Sequence, residues 1–385
     1  MMPVLRGWLL TLNSNDITYQ IEAEPEDWTA SSAIEHPSGL VLSSTGQWLR
    51  PLLIVLTIFT ALISLFVGVY DLSFSQIIEI IGASIGLTET DISPAVQYLL
   101  INIRLPRICL GLLVGAGLSV SGAAIQGLFR NPLADPSLIG ITSGGMLFAV
   151  GSIFLANTIL VELNAVFGYA TIGLSAFLGS FLATILIYRL SSYQGVTSVT
   201  TMLLAGIAMT AFCGAITGLM TYLSDEDQLR DITFWSLGSL SGATWSMIWV
   251  IAGPILGAIF FLVRLARPLD LLMLGEREAN YLGISVQKVK RRVILLTAIG
   301  VGICVSVCGI ISFVALIVPH MLRIISGPTH RALLINAAML GAILITLADL
   351  VARIVIAPAE LPIGILTAIL GAPFFIGILL KNRSQ

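Results

Sequence analysis

From about residue 50 onward, the chain alternates between long apolar runs and short polar or charged stretches. Several runs reach the roughly 20 residues that an α-helix needs to cross a bilayer. They are continuous and rich in Leu, Ile, Ala and Gly, and they lack the alternating pattern of membrane β-strands. The pattern predicts spanning helices at about 51–70, 107–128, 138–157, 166–188, 200–222, 245–266, 293–310, 313–322, 333–355 and 363–380.

The apolar stretch at 293–325 is the ambiguous one. Its 33 residues are too many for one crossing and few for two. Basic residues flank it on both sides, and the positive-inside rule then requires an even number of crossings. We therefore expect a full helix at 293–310 and a shorter one at 313–322, entering beside Gly309 and leaving at Pro319.

Composition sets the fold class. The chain is 57% hydrophobic with a mean hydropathy of +0.99, and only 10% of its residues are charged, against about 25% in soluble domains. These values predict an all-α polytopic membrane protein with about ten transmembrane helices. The net charge of −2 and the lack of a basic stripe with aromatics give no sign of nucleic-acid binding.

The positions of the basic residues predict the topology. With both termini in the cytoplasm, thirteen basic residues fall inside, four outside and two in the N-terminal region, as the positive-inside rule favours. SDEDQLRD (224–231) and APAELP (357–362) are then external loops. Residues 1–49 are polar and hold six acids, and their opening apolar piece is too short to span. We expect either a poorly ordered cytoplasmic extension or an over-long start, before a transmembrane domain at 50–381.

Chemistry inside the predicted helices is sparse. Asp349 and Arg353, four residues apart near an outer helix end, can form an ion pair on one helix face. The chain has no Gly-Lys pair and hence no Walker A loop. The energy for any uphill transport should therefore come from outside the chain. The four cysteines lie in apolar runs, which favours packing over disulfides, and the three dispersed histidines predict no metal site.

Small residues recur at four-residue spacing in the second predicted helix. Rows of this kind let helix backbones approach closely within a membrane. Helix packing is the favoured interpretation, and pore lining is the alternative. The row consists of Gly111, Gly115, Ser119 and Ala123, with Gly117 and Ser121 beside it.

Five ordered motifs resemble the membrane permeases of ABC importers for iron–siderophore, haem and cobalamin, the type II importers. Together they span about residues 50–381. They are INIRLPRICLGLLVGAGLSVSGAAIQGLFRNPLADPSLIGITSGG (101–145), MLLAGIA (202–208), LGEREANYLGI (274–284), ISFVALIVPHMLR (311–323) and LADLVARIVIAPAELPIGILTAILGAPFFI (347–376).

The resemblance implies a subunit without catalysis of its own in the bacterial inner membrane. It implies a second copy of the chain, two cytoplasmic ATPase subunits that use ATP and Mg, and a periplasmic binding protein. No cofactor is then bound by this chain. A secondary transporter or channel working alone is the alternative, and the sparse intramembrane charge and the charged internal loop disfavour it.

Residue by residue, the resemblance assigns three groups of site residues. Arg104, Arg107 and Arg353 match family arginines that meet acids of the binding protein, and we expect them to act as rim charges. Asn131 and Leu133, in an Asn-Pro-Leu turn, match one half of a cytoplasmic gate. Ser198, Val199 and Thr200 resemble the other half.

The charged island RPLDLLMLGEREANYLGISVQKVKRR (267–292) is predicted to be the cytoplasmic element that couples to the ATPase. Nine of its 26 residues are charged. We expect two short helices, the first ending near Gly283 and the second running from Ser285 to the basic residues at its end. The assigned residues are Gly275, Glu276, Arg277, Glu278, Ala279, Leu282 and Gly283, with Ala279 and Leu282 forming an apolar contact face.

The substrate is the least determined part of the prediction. FWSLGSLSGATW (234–245) most resembles haem-type members of the family, and Trp235 and Trp245 could face a planar ligand. Tryptophans are also common at membrane interfaces. Haem is the first expectation, with an Fe(III)–siderophore close behind and cobalamin third.

Overall fold

The computed structural model describes residues 45–383, except 69, 71 and 88. Most of the predicted extension at 1–49 therefore lies outside the described residues. The helices are α1 (Thr45–Phe66), α2 (Phe74–Ser84), α3 (Pro94–Tyr98), α4 (Leu105–Phe129), α5 (Ile141–Phe154), α6 (Val161–Phe167), α7 (Ala170–Leu190), α8 (Val199–Leu223), α9 (Glu226–Leu237), α10 (Trp245–Arg264), α11 (Ala266–Leu274), α12 (Glu276–Tyr281), α13 (Val286–Cys308), α14 (Val314–Ser326), α15 (His330–Ile354) and α16 (Ile363–Arg383).

The all-α prediction is confirmed, and each predicted spanning helix has a counterpart. A π-helical turn at Leu99–Arg104 joins α3 to α4, so that Pro94–Phe129 is one continuous helix. Seven helices in the described part of the chain are long and apolar enough to cross a membrane. A shorter apolar helix, α14, occupies the second half of the ambiguous stretch, as the charge pattern required.

Several short helices were not predicted, among them α2, which is too short to span a membrane, and α9, which lies in polar sequence. Helix α9 begins within the segment expected to be an external loop. Its N-cap Asp225 accepts a hydrogen bond from the backbone N–H of Gln228 at 2.8 Å, and the Gln228 side chain accepts one from the Asp225 N–H at 3.2 Å. Ser73 and Gln76 form the same capping box at the start of α2.

The connection between α7 and α8 is a small hairpin. Strand β1 (Ser192–Tyr193) pairs antiparallel with β2 (Val196–Thr197), with Ser192 opposite Thr197. It lies at the end of the bundle where α4 ends. Helices α11 and α12, which together form the connector between α10 and α13, are also at this end, and we therefore call it the connector end. The opposite end, where α1 ends and α4 begins, is the arginine end.

Helix α4 is buried along most of its length and forms the centre of the bundle. Its small-residue row packs against α15 at Gly115 and Gly341. A Cβ atom added to either glycine would meet the backbone carbonyl of the other. At Gly122, an added Cβ atom would meet the Ala315 carbonyl of α14. The packing interpretation of this row is therefore confirmed.

Gly115→Leu is expected to lower the unfolding temperature of the detergent-solubilised protein. The contact is with backbone, which cannot rotate away, and overpacking costs about 1–3 kcal/mol or more. Gly253→Leu is the matched control, because a side chain at that position of α10 would enter open space. Equal melting temperatures for the two variants would contradict the close contact between α4 and α15.

Candidate functional site

At the arginine end, α4 and α15 are joined by a buried ion cluster. The Nε and Nη2 atoms of Arg107 each lie 2.9 Å from Oδ1 of Asp349. The Nη1 atom of Arg107 donates to Glu360 at 2.7 Å. Both members of the Arg107–Asp349 pair are buried, whereas the Glu360 side chain is 40% exposed. Of these three residues, only Glu360 is therefore accessible from outside the bundle.

Arg353 and Arg104 complete this cluster through α1. Arg353 Nε lies 3.2 Å from Asp349, which confirms the predicted pair four residues apart on one helix face, and its Nη2 donates to Ser64 at 2.5 Å. Arg104 donates to the carbonyls of Leu65 and Phe66 at 2.6 and 3.3 Å, and to that of Tyr70. A cation at these carbonyls stabilises the C-terminus of α1.

The expectation of exposed rim arginines is wrong. Arg104, Arg107 and Arg353 are only 3%, 5% and 6% exposed. Each is engaged by groups of its own chain, because a buried guanidinium must be hydrogen-bonded and charge-compensated. The docking role that the resemblance assigned to them stays a prediction.

At the connector end, α12 has the predicted form. Glu276 and Glu278 lie in its first turn, where acids suit the helix dipole. It ends in a Schellman motif, with Gly283 N–H donating to Asn280 and Ile284 N–H donating to the Ala279 carbonyl. Gly283 has a φ of +83° and Gly275 a φ of +136°, conformations that disfavour other residues.

Two details of the predicted connector are wrong. No separate second short helix follows Gly283, because α13 starts at Val286 and continues into the membrane-spanning segment. The basic residues at 288–292 therefore lie in its first turns. Ala279 is fully buried within the chain, so it cannot share a contact face with Leu282, which is 58% exposed.

The exposed surface of the connector is apolar as well as charged. Tyr281 is 90% exposed, Leu274 is 64% exposed, and Arg277 and Glu278 are exposed beside them. Large apolar side chains exposed next to charges are typical of a protein interface. We call these exposed residues the docking surface, after the role predicted for them, and define it as Leu274, Arg277, Glu278, Tyr281 and Leu282.

A buried contact between α11 of the connector and α15 was not predicted from the sequence. His330, at the start of α15 and 1% exposed, lies with Nδ1 2.7 Å from Oδ1 of Asp270 in α11. Its backbone N–H donates to the same carboxylate oxygen at 2.8 Å. The two residues are 60 positions apart, and no local spacing pattern indicates their contact.

The two predicted gate segments lie in the turn after α4 and at the start of α8. The Asn131 side chain accepts a hydrogen bond from the Leu133 N–H at 2.9 Å, which shapes the turn after α4. The Ser198 hydroxyl accepts one from the Thr201 N–H and caps α8. Ser198 and Thr200 are exposed, and Val199 is partly buried. Among the described residues, no hydrogen bond joins the two segments.

Between α5 and α8 lies a cavity of about 650 Å³. Hydroxyl groups of Ser143, Thr210 and Thr217 line it on an apolar background. The two indoles that could face a planar ligand are both partly buried. Trp245 donates to the Ile101 carbonyl of the π-helical turn at 2.8 Å, and Trp235 packs against the core.

The spanning helices with a docking surface on one internal connector define a transport subunit of the membrane. The chain belongs to the FecCD transport family, whose model matches residues 56–381. It is 43% identical to the hemin transport system permease protein of Yersinia pestis over 86% of this chain and 95% of that one. It is 40% identical to the iron(3+)-hydroxamate import system permease protein of Bacillus subtilis over 74% of this chain and 84% of that one.

A solved structure agrees with this assignment. The chain superposes on a metal-chelate type ABC transporter in an inward-facing conformation with a TM-score of 0.75 and 34% identity, covering 87% of this chain and 99% of that one. The protein is therefore a multi-pass permease subunit of an ABC importer. It is a transport component rather than an enzyme, and permeases of this class work with ATPase subunits and a substrate-binding protein.

Proposed function

We propose that this chain carries haem across the bacterial inner membrane. The observation that carries the proposal is the 43% identity to a hemin permease over 95% of that protein's length. An Fe(III)–siderophore is the second candidate, because an iron(3+)-hydroxamate permease is 40% identical. The cavity beside α8 suits either cargo, since it offers neutral hydroxyls and no charged side chain among its lining residues.

We further propose an assembly of two copies of this chain, two ATPase subunits and one binding protein. Both termini lie in the cytoplasm, since this orientation places thirteen basic residues inside and four outside. The connector end then faces the ATPase subunits, which use ATP and Mg. The arginine end faces the binding protein, and Glu360 is the exposed member of its ion cluster.

The roles of the site residues follow from this orientation. Arg104, Arg107 and Arg353 form the base of the binding-protein site and hold α1, α4 and α15 in register beneath it. Residues 131–133 and 198–200 bound the cytoplasmic exit of the path. Residues 275–283 transmit the conformational changes of the ATPase to the permease. The exposed docking surface, and not Ala279, makes the contacts with the ATPase.

Uptake by a strain that lacks the chain tests the substrate. The strain, complemented with this chain and its cognate ATPase and binding protein, is grown on haem, a panel of ferric siderophores or cobalamin. We expect growth with haem as the sole iron source. Growth on a siderophore but not on haem would show that the siderophore, and not haem, is the cargo. Failure of the purified chain to co-isolate with the ATPase would contradict the assembly.

A further inference from the structure

Lys290 is a buried lysine in the first turns of α13, at 2% exposure. Its Nζ lies 2.7 Å from Oε1 and 2.8 Å from Oε2 of Glu276 in α12. The same Nζ donates to the backbone carbonyl of Thr197 at 2.7 Å. A buried ammonium is costly unless it is paired and hydrogen-bonded. Here its partners come from two separate segments, so it joins α12 to the hairpin before α8.

Thr197 is held from both sides of its peptide backbone. Its N–H donates to Oε1 of Gln287 at 2.9 Å, while its carbonyl accepts from Lys290. Gln287 and Lys290 are three positions apart and share one face of α13. Thr197 is itself 2% exposed. A displacement of these side chains must therefore move the backbone at Thr197.

The backbone at Thr197 leads directly into the proposed gate. The next residue, Ser198, is the N-cap of α8, and Val199 and Thr200 form its first turn. At the other end of the link, Glu276 begins α12, the helix that carries Tyr281 of the docking surface and is followed at once by Leu282. One ammonium group thus connects the helix that carries part of the docking surface to the start of α8, which lines the cavity between α5 and α8.

A buried ion pair is in general weak evidence for a role in stability. Replacing a buried pair by well-packed apolar residues is often neutral or stabilising. An ion pair with an added backbone hydrogen bond has a defined direction, which apolar packing lacks. It fixes where α12 lies relative to Thr197, and this is what a mechanical link needs.

We propose that Lys290 is a positioning residue that transmits movement of α12 to the inner end of α8. It links ATP hydrolysis by the docked ATPase to opening of the path at residues 198–200. The inference deepens the proposed function and rests on it. When an ATPase displaces α12, Glu276 moves Lys290, and Lys290 moves the Thr197 carbonyl and the first turn of α8.

The test uses the full importer reconstituted in liposomes, with Lys290→Met and Glu276→Gln as the variants. We expect both to assemble with the ATPase and to hydrolyse ATP. The amount of cargo imported per ATP should fall at least about fivefold, the lower limit of typical coupling between sites. The double variant should be no worse than Lys290→Met alone, because both changes break one link. Lys290→Arg should recover part of the lost ratio.

Lys288→Met is the matched control, since Lys288 is exposed two positions earlier on the same helix. It should leave the ratio of cargo to ATP at the wild-type value. If either single variant does not fold because it leaves one charge of the pair without its partner, the double variant carries the test, since it removes both charges, and an unchanged ratio there would overturn the proposal.

An unchanged ratio in Glu276→Gln, or an equal fall in Lys288→Met, would overturn the proposal while the importer function stands. If the wild-type importer shows neither uptake nor ATP hydrolysis stimulated by the binding protein, the proposed function is contradicted. The role proposed for Lys290 is then contradicted as well.

Discussion

Asp349→Asn is expected to destabilise the fold by about 3–5 kcal/mol, the usual cost of leaving a buried charge without its partner. Asp349 is 2% exposed and contacts both Arg107 and Arg353. With Asn at this position, Arg107 keeps only the carboxylate of Glu360, and Arg353 loses its carboxylate contact. The loss should appear as a lower unfolding temperature in detergent and a smaller yield of monodisperse protein.

Charge balance, not shape, should explain this loss. The double variant Asp349→Asn, Arg353→Gln removes one charge of each sign and leaves the Arg107–Glu360 pair intact, so it should be more stable than Asp349→Asn alone. Asp231→Asn is the control, because Asp231 is an exposed acid in α9, and its stability should equal that of the wild type. A double variant that is less stable than Asp349→Asn would contradict the charge explanation.

The spanning helices were predictable because the lipid environment imposes a simple rule. Every backbone polar group in a membrane must be satisfied internally, so each long apolar run becomes a helix. Helix α2 escaped prediction because this apolar helix of 11 residues is too short to span a membrane, and α9 because its signal is a capping box in polar sequence. The start of α13 was misplaced because its first turns carry basic residues outside the apolar run.

The sequence identified the residues proposed for the sites but not the environment of those residues. Sequence motifs located the arginines, yet the partners of Arg107 lie 242 and 253 positions away. No local pattern shows that a distant acid neutralises a charge and allows its burial. The same limit applies to Lys290 and Thr197, 93 positions apart. Ala279 looked like a contact residue because a small apolar side chain fits equally well inside and outside a fold.

Leu282→Asp is expected to abolish uptake while the permease stays folded. Leu282 is 58% exposed on the docking surface proposed to contact the ATPase. A carboxylate there would be buried without a partner when the ATPase binds, and a charge of this kind costs several kcal/mol. Co-isolation of the ATPase should be lost, and the unfolding temperature of the isolated permease should not change.

Ala279→Asp separates docking from folding, since the two residues are three positions apart but differ in burial. Ala279 is fully buried, so a carboxylate there must displace its own chain and should lower the unfolding temperature of the isolated permease. A stable Ala279→Asp permease that fails to bind the ATPase would instead place Ala279 in the interface. Normal uptake by Leu282→Asp would contradict the role assigned to the docking surface. Because the two substitutions introduce the same charge, the difference between them reports only where each side chain points.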